Sequence, residues 1–144
     1  MMAMTEERIS FKLKNRLSEL ETLYRNLEQF GNSIGLSEKT IFKSKLALDE
    51  LFTNIISYGY TNNDEHWIEI TISHENETLI LRIEDEGIFF NPMVDERTDL
   101  ECGLDECEIG GLGIHITKHF MDDISYQRSG NKNVVTLKIN LRET

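Results

Sequence analysis

Residues 68–85, IEITISHENETLILRIED, decide the fold. Ile68, Ile70 and Ile72 alternate with Glu69, Thr71 and Ser73, and Leu79, Leu81 and Ile83 resume the alternation after a polar connection. Period two is the signature of a strand with one buried face. The connection from His74 to Glu77 is short and contains Asn76, so the two strands pair as an antiparallel hairpin. Working outward, Ile9, Phe11 and Leu13 alternate with Ser10 and Lys12 as a further strand. From Arg16 to Ile34 the period changes: Leu17, Leu20, Leu23, Leu27, Phe30 and Ile34 recur every three or four residues, the stripe of an amphipathic helix. Ser37 caps a second helix whose stripe is Ile41, Leu48, Leu51, Phe52 and Ile55 and which runs to about Ser57.

Beyond the hairpin, residues 89–108 have no clear period and hold the only proline, Pro92, which predicts a long loop. Gly110, Gly111 and Gly113 lead into a third helix with Leu112, Ile116 and Phe120 at steps of four. Ile124–Arg128 and Val134–Leu141 close the chain as a second hairpin about residues 129–132. The expectation is one α+β domain over residues 1–144, a two-layer sandwich of a mixed, mainly antiparallel sheet with three helices on one face.

Composition narrows the function. The 144 residues are 39% hydrophobic and 28% charged, with a formal net charge of −11. That balance argues against binding nucleic acid or an anionic membrane, since phosphates are neutralised by clustered Lys and Arg. No apolar run reaches the length of a membrane span, and residues 1–8 lack a signal-peptide stretch. Cys102 and Cys107 form no zinc pattern and read as reduced thiols of a cytoplasmic protein. His115 and His119 lack a third ligand in sequence, so no zinc site is expected there.

Three segments carry candidate chemistry. Glu50 and Asn54, in LALDELFTNIISYGY (46–60), lie four residues apart and emerge about 40° apart on the helix. A carboxylate one turn from a carboxamide can act as a base while the amide oxygen ligates Mg²⁺; the pair can equally be the polar flank of an amphipathic helix. Asp85 stands in phase with Leu79, Leu81 and Ile83, so it faces inward and can accept from an exocyclic amine. Alternatively, the strand ends early and Asp85 caps a turn with Gly87. In Gly110-Gly111-Leu112-Gly113, glycines before a helix expose N–H groups to a phosphate, or simply make a loop-to-helix turn.

The order and spacing of these segments resemble the nucleotide-binding boxes of the GHKL (Bergerat-fold) ATPases, and in particular their single-domain branch of RsbW-type anti-sigma-factor serine kinases. The likeness rests on Glu50-x-x-x-Asn54 with Gly59-Tyr60 behind it, Asp85-x-Gly87 through Phe89 to Pro92, the glycine box 110–113, and Phe120-Met121-Asp122, and it covers residues 9–141. The resemblance implies that Glu50 is the general base, that Asn54 ligates Mg²⁺, and that Asp85 recognises adenine with Gly87 beside it. It further implies that Gly110, Gly111, Leu112 and Gly113 meet the phosphates of ATP beneath a lid at about 91–110. The implied function is an ATP- and Mg²⁺-dependent protein serine/threonine kinase and anti-sigma factor. Such a protein phosphorylates a STAS-type antagonist, binds a sigma factor, and forms a homodimer.

Three positions depart from that branch. Tyr58 stands where many members have histidine, Ile109 where they have arginine before the glycines, and Asn133 where a late strand commonly carries threonine. The first two favour an alternative, a nucleotide-responsive binding module that inhibits a partner without phosphorylating it. ATP hydrolysis without any partner is a third possibility. The implied lid also concentrates charge: Asp95, Glu96, Asp99, Glu101, Asp105, Glu106 and Glu108, against Arg97, supply six of the eleven net negative charges.

Overall fold

The computed structural model describes residues 6–60, 64–88 and 120–141. Its elements are β1 (Glu6–Lys14), a short 3₁₀ turn at Leu17–Glu19, α1 (Leu20–Ser33), α2 (Glu38–Tyr58), β2 (Trp67–Glu75), β3 (Thr78–Asp85), β4 (Asp123–Ser129) and β5 (Lys132–Asn140). The strands form one sheet in the order β1-β2-β3-β5-β4. All four ladders are antiparallel, so the sheet is antiparallel throughout rather than mixed. The reason is topological: β5 turns back from β4 through residues 130–131 and slots between β4 and β3, separating the two strands that run parallel. Among the described residues there are two α-helices; the expected third helix, all but Phe120 of it, and the expected lid lie outside them.

The β2–β3 hairpin turns on Asn76 and Glu77, both left-handed at φ 51° and 69°, the geometry of a two-residue hairpin turn. Its register pairs Ile70 with Ile83 and Ile72 with Leu81, and β5 continues the rows with Val135 and Leu137. These side chains are all buried, and they meet Leu23, Leu27 and Phe30 of α1 and Leu48, Leu51, Phe52 and Ile55 of α2. Burial of each such side chain contributes about 1.5–3 kcal/mol, enough to make this layer interface the stabilising core. Leu17 is a correction to the expected stripe: it falls in the 3₁₀ turn, where the helical phase has not begun, and stays 56% exposed. Ser37 caps α2 as expected, its Oγ accepting from the Thr40 N–H at 3.1 Å.

The inner face of the sheet changes character in its last row. Register aligns Leu13, Ile68, Asp85, Asn133 and Arg128 across the five strands. The first two are buried and apolar, whereas the other three are polar or charged, and Asp85 and Asn133 line a cavity with Leu51, Asn54 and Ile55 of α2. A site is built at that corner.

Candidate nucleotide site

Helix α2 supplies one wall. Asn54 is buried, 3% exposed, which rules out the reading of it as a solvated flank. Its Nδ2 and the Oε2 of Glu50 are both buried with no hydrogen-bond partner among the described residues. Buried polar atoms cost stability unless they are bonded, so these two call for partners from outside the described residues. Burial, the larger cause, and the neighbouring Asp49 charge push the Glu50 carboxyl up to about 7; Asn54 tempers this to a smaller extent. A carboxyl with that affinity for protons is matched to general-base work near neutral pH. Asp49 is itself held in place, accepting from the Tyr24 hydroxyl on α1 and, at 3.1 Å, from Thr53 Oγ1.

The sheet end supplies the opposite wall. Asp85 is 6% exposed, and its Oδ1 accepts from the Gly87 N–H at 2.7 Å and from Asn133 Nδ2 at 3.1 Å. The strand runs through Asp85 and does not end early; the side chain faces inward with the core and also caps the turn to Gly87. Burial pushes its carboxyl up from the usual range, against the bonds from Gly87 and Asn133 and the Arg128 charge. Its Oδ2 accepts nothing among the described residues and is the atom left for a ligand's amine. Gly87 is required by a close approach: a Cβ there would collide with the carbonyl oxygen of Gly59 and come within 2.8 Å of Asp85 Oδ1. The turn is thereby pressed onto the end of α2, and the Ile88 N–H bonds the Gly59 carbonyl at 2.7 Å.

Between the walls lies a small cavity lined by Leu51, Asn54, Ile55, Gly59, Ile83, Asp85, Ile88, Asn133 and Val135, with room for about 20 Å³. That is the space of one water, so a purine would have to displace the rim at Ile88, which is 49% exposed. A wider depression of about 320 Å³ lies beyond the same strand ends, between Lys12, His66, Trp67, Glu69 and Lys132, and shares only Tyr60 and Asp85 with the site region. Glu50 and Asn54 do not line it.

The structure thus brings Asn54 of α2 into one cavity with Asp85, which Gly87 follows in the turn; Glu50 stands one helical turn before Asn54 and does not line that cavity. Gly110, Gly111, Leu112 and Gly113 lie outside the described residues, as does Ile109. Sequence reasoning missed Tyr126 and Arg128, and noted Tyr60 only as part of the Gly59-Tyr60 pair. Tyr60 stacks on His66 with ring centroids 3.9 Å apart, and its hydroxyl is buried with no hydrogen-bond partner among the described residues. Asn133 was noted only as a departure, yet it is 4% exposed and bonded to Asp85. Counting by twos back from Ile139, Leu137 and Val135 places it on the inner face, the same signal that placed Asp85 there.

The family model for the histidine kinase-like ATPase domain matches residues 13–139. The chain belongs to that family. Within this ATPase domain family, it is 32% identical over 101 residues to the serine/threonine-protein kinase BtrW of Bordetella bronchiseptica, covering 70% of this chain and 71% of that protein. It is 33% identical over 85 residues to the anti-sigma F factor of Bacillus subtilis, covering 59% of this chain and 58% of the relative. Among solved structures, the RsbU and RsbW domains of a Mycobacterium tuberculosis protein superpose with a TM-score of 0.67 at 12% identity, over 94% of this chain and 32% of that one. The likeness to that structure carries the fold, which is the ATPase-domain sandwich described above.

Proposed function

We propose that this ATPase domain is an ATP- and Mg²⁺-dependent serine/threonine protein kinase that also acts as an anti-sigma factor. The observation that carries the proposal is the shared cavity of Asn54 on α2 and Asp85 on β3, with Glu50 one helical turn from Asn54 and its Oε2 without a partner among the described residues. The residues suit the implied ligands: Asn54 carries a carboxamide oxygen of the kind a hard cation takes, and Glu50 Oε2 and Asp85 Oδ2 accept nothing among the described residues. When bound, MgATP supplies the transferable phosphoryl group with its charge partly neutralised.

Asp85 would accept a hydrogen bond from the adenine amino group, while Ile55, Ile83 and Val135 offer apolar surface to the base. Glu50 would take the proton of the attacking serine hydroxyl, its raised proton affinity letting it hold that proton near pH 7. Asn54 would hold the cation one helical turn from the base, so both groups are positioned by one rigid element. The glycine box at 110–113 would receive the phosphates, as the resemblance implies. The partners would be a sigma factor and a STAS-type antagonist carrying the acceptor serine, and the protein would work as a homodimer in the cytoplasm. No helix among the described residues is long and apolar enough to cross a membrane, in keeping with that setting.

The test is incubation with labelled ATP, Mg²⁺ and a STAS-domain antagonist. A labelled serine on the antagonist supports the kinase. ATP binding without label supports the second reading, a non-catalytic nucleotide-responsive module, which Ile109 and Tyr58 favour.

A further inference from the structure

Asn133 uses its whole hydrogen-bonding capacity inside the protein. Its Nδ2 donates to Asp85 Oδ1 at 3.1 Å and to the carbonyl oxygen of Ile88 at 2.8 Å, with the Gly87 carbonyl at 3.5 Å. Its Oδ1 accepts from the Tyr126 hydroxyl at 2.6 Å and from Arg128 Nη1 at 3.0 Å. Two donor hydrogens and two acceptor lone pairs are the full inventory of a carboxamide, so none remains for a ligand. The orientation is also unique. Reversed, the oxygen would face a carboxylate and two carbonyls while the NH₂ faced two donors.

The partners of this amide lie on three segments. Tyr126 and Arg128 alternate on the inner face of β4, Asp85 ends β3, and Gly87 and Ile88 form the turn at the cavity rim. Arg128 Nη1 also donates to the Gly87 carbonyl at 2.9 Å, closing the network. Everything converges on one outcome: Asp85 is fixed through Oδ1, and Oδ2 alone is left to select a ligand.

We propose that Asn133, clamped by Tyr126 and Arg128, is the positioning residue that sets Asp85 for a 6-amino purine and so governs base specificity without touching the base. The proposal rests on the reading of Asp85 as the group that recognises adenine. A buried carboxylate aimed at an amine discriminates strongly against an analogue lacking that amine, provided the carboxylate cannot swing away. Removing the strut should therefore erode discrimination more than general affinity.

The experiment measures equilibrium binding of ATP and of purine riboside triphosphate, which carries hydrogen in place of the 6-amino group, to the full chain with Mg²⁺. For Asn133→Ala, ATP affinity is expected to fall about tenfold while affinity for the analogue stays within about twofold, the loss due to a hydrogen bond to a charged group. Tyr126→Phe keeps Asn133 and removes one bond that orients it; the same preference should erode by about threefold. If Asn133→Ala does not fold, the Tyr126→Phe comparison decides alone. Equal losses for both nucleotides, or no loss for either, overturn the role of Asn133. A parent protein that binds both nucleotides equally overturns the reading of Asp85 and this proposal with it.

Discussion

The two walls of the site are both polar and both buried, yet they are prepared in opposite ways. On α2, Glu50 Oε2 and Asn54 Nδ2 have no partner among the described residues. On the sheet end, Asp85 Oδ1 and both ends of the Asn133 carboxamide are bonded. An unsatisfied wall is destabilising until a ligand completes it, whereas a satisfied wall is rigid before anything arrives. Under the proposed function, the helix wall would do the chemistry and hold the cation, and the strand wall would recognise the base. One fold achieves both because α2 presents its polar pair across the groove from a register row that turns polar only at its end.

Substitutions that treat the walls alike would break this comparison. The largest effect is expected on the helix wall, where Glu50→Gln should lower the rate of phosphoryl transfer by about 10²- to 10⁴-fold with ATP affinity retained, read by single-turnover kinetics beside equilibrium binding. On the strand wall, Asp85→Asn should do the reverse. It turns the free oxygen or its neighbour into a donor, and ATP affinity should fall about 10- to 100-fold, measured calorimetrically.

Stability separates the walls further. Asn133→Leu removes the bonds to Asp85 Oδ1, the Ile88 carbonyl, the Tyr126 hydroxyl and Arg128, and should destabilise the protein by about 2–3 kcal/mol in urea denaturation. Asn54→Leu, of similar size change, removes an unsatisfied atom and should be neutral or stabilising by up to about 1 kcal/mol in the same assay.

The smallest effect is a pH dependence. Glu50 has its proton affinity raised in the folded protein, to about 7. Between the unfolded value of 4.5 and about 7 the folded state therefore binds more protons, and stability falls as pH rises through that window. Glu50→Gln should remove that fall, giving the ligand-free protein on the order of 1 kcal/mol above pH 7, discounted for partial solvent access, and no difference near pH 4. Denaturation midpoints at the two pH values check it.

The pairing in the helix wall was legible in the sequence because it is local, Glu50 and Asn54 sharing a face by helical geometry alone; the burial of Asn54 was not, since it depends on the sheet end packed against α2. Asp85 was half legible, since period two places it inward but cannot choose between core and cap. The network around it was not. Tyr126, Arg128 and Asn133 meet Asp85 only through the β3–β5 and β4–β5 registers, and those long-range pairings are set by tertiary packing rather than by neighbours in the chain. The antiparallel sheet was misjudged as mixed for the same reason: the place of β5 between β3 and β4 is a topological fact, not a local one. Leu17 shows the converse limit, where a correct helical period extended one turn too far.

The central claim is that Glu50 serves as the base from a carboxyl that titrates near neutral pH. The direct measurement is the single-turnover rate of phosphate transfer to the antagonist serine, followed from about pH 5 to about pH 9 in the parent and in Glu50→Gln. The account predicts a parent rate that rises tenfold per pH unit and levels off above about 7, and a variant rate that is low and flat. A parent profile flat through that range, or a variant that transfers phosphate as fast as the parent, would contradict it.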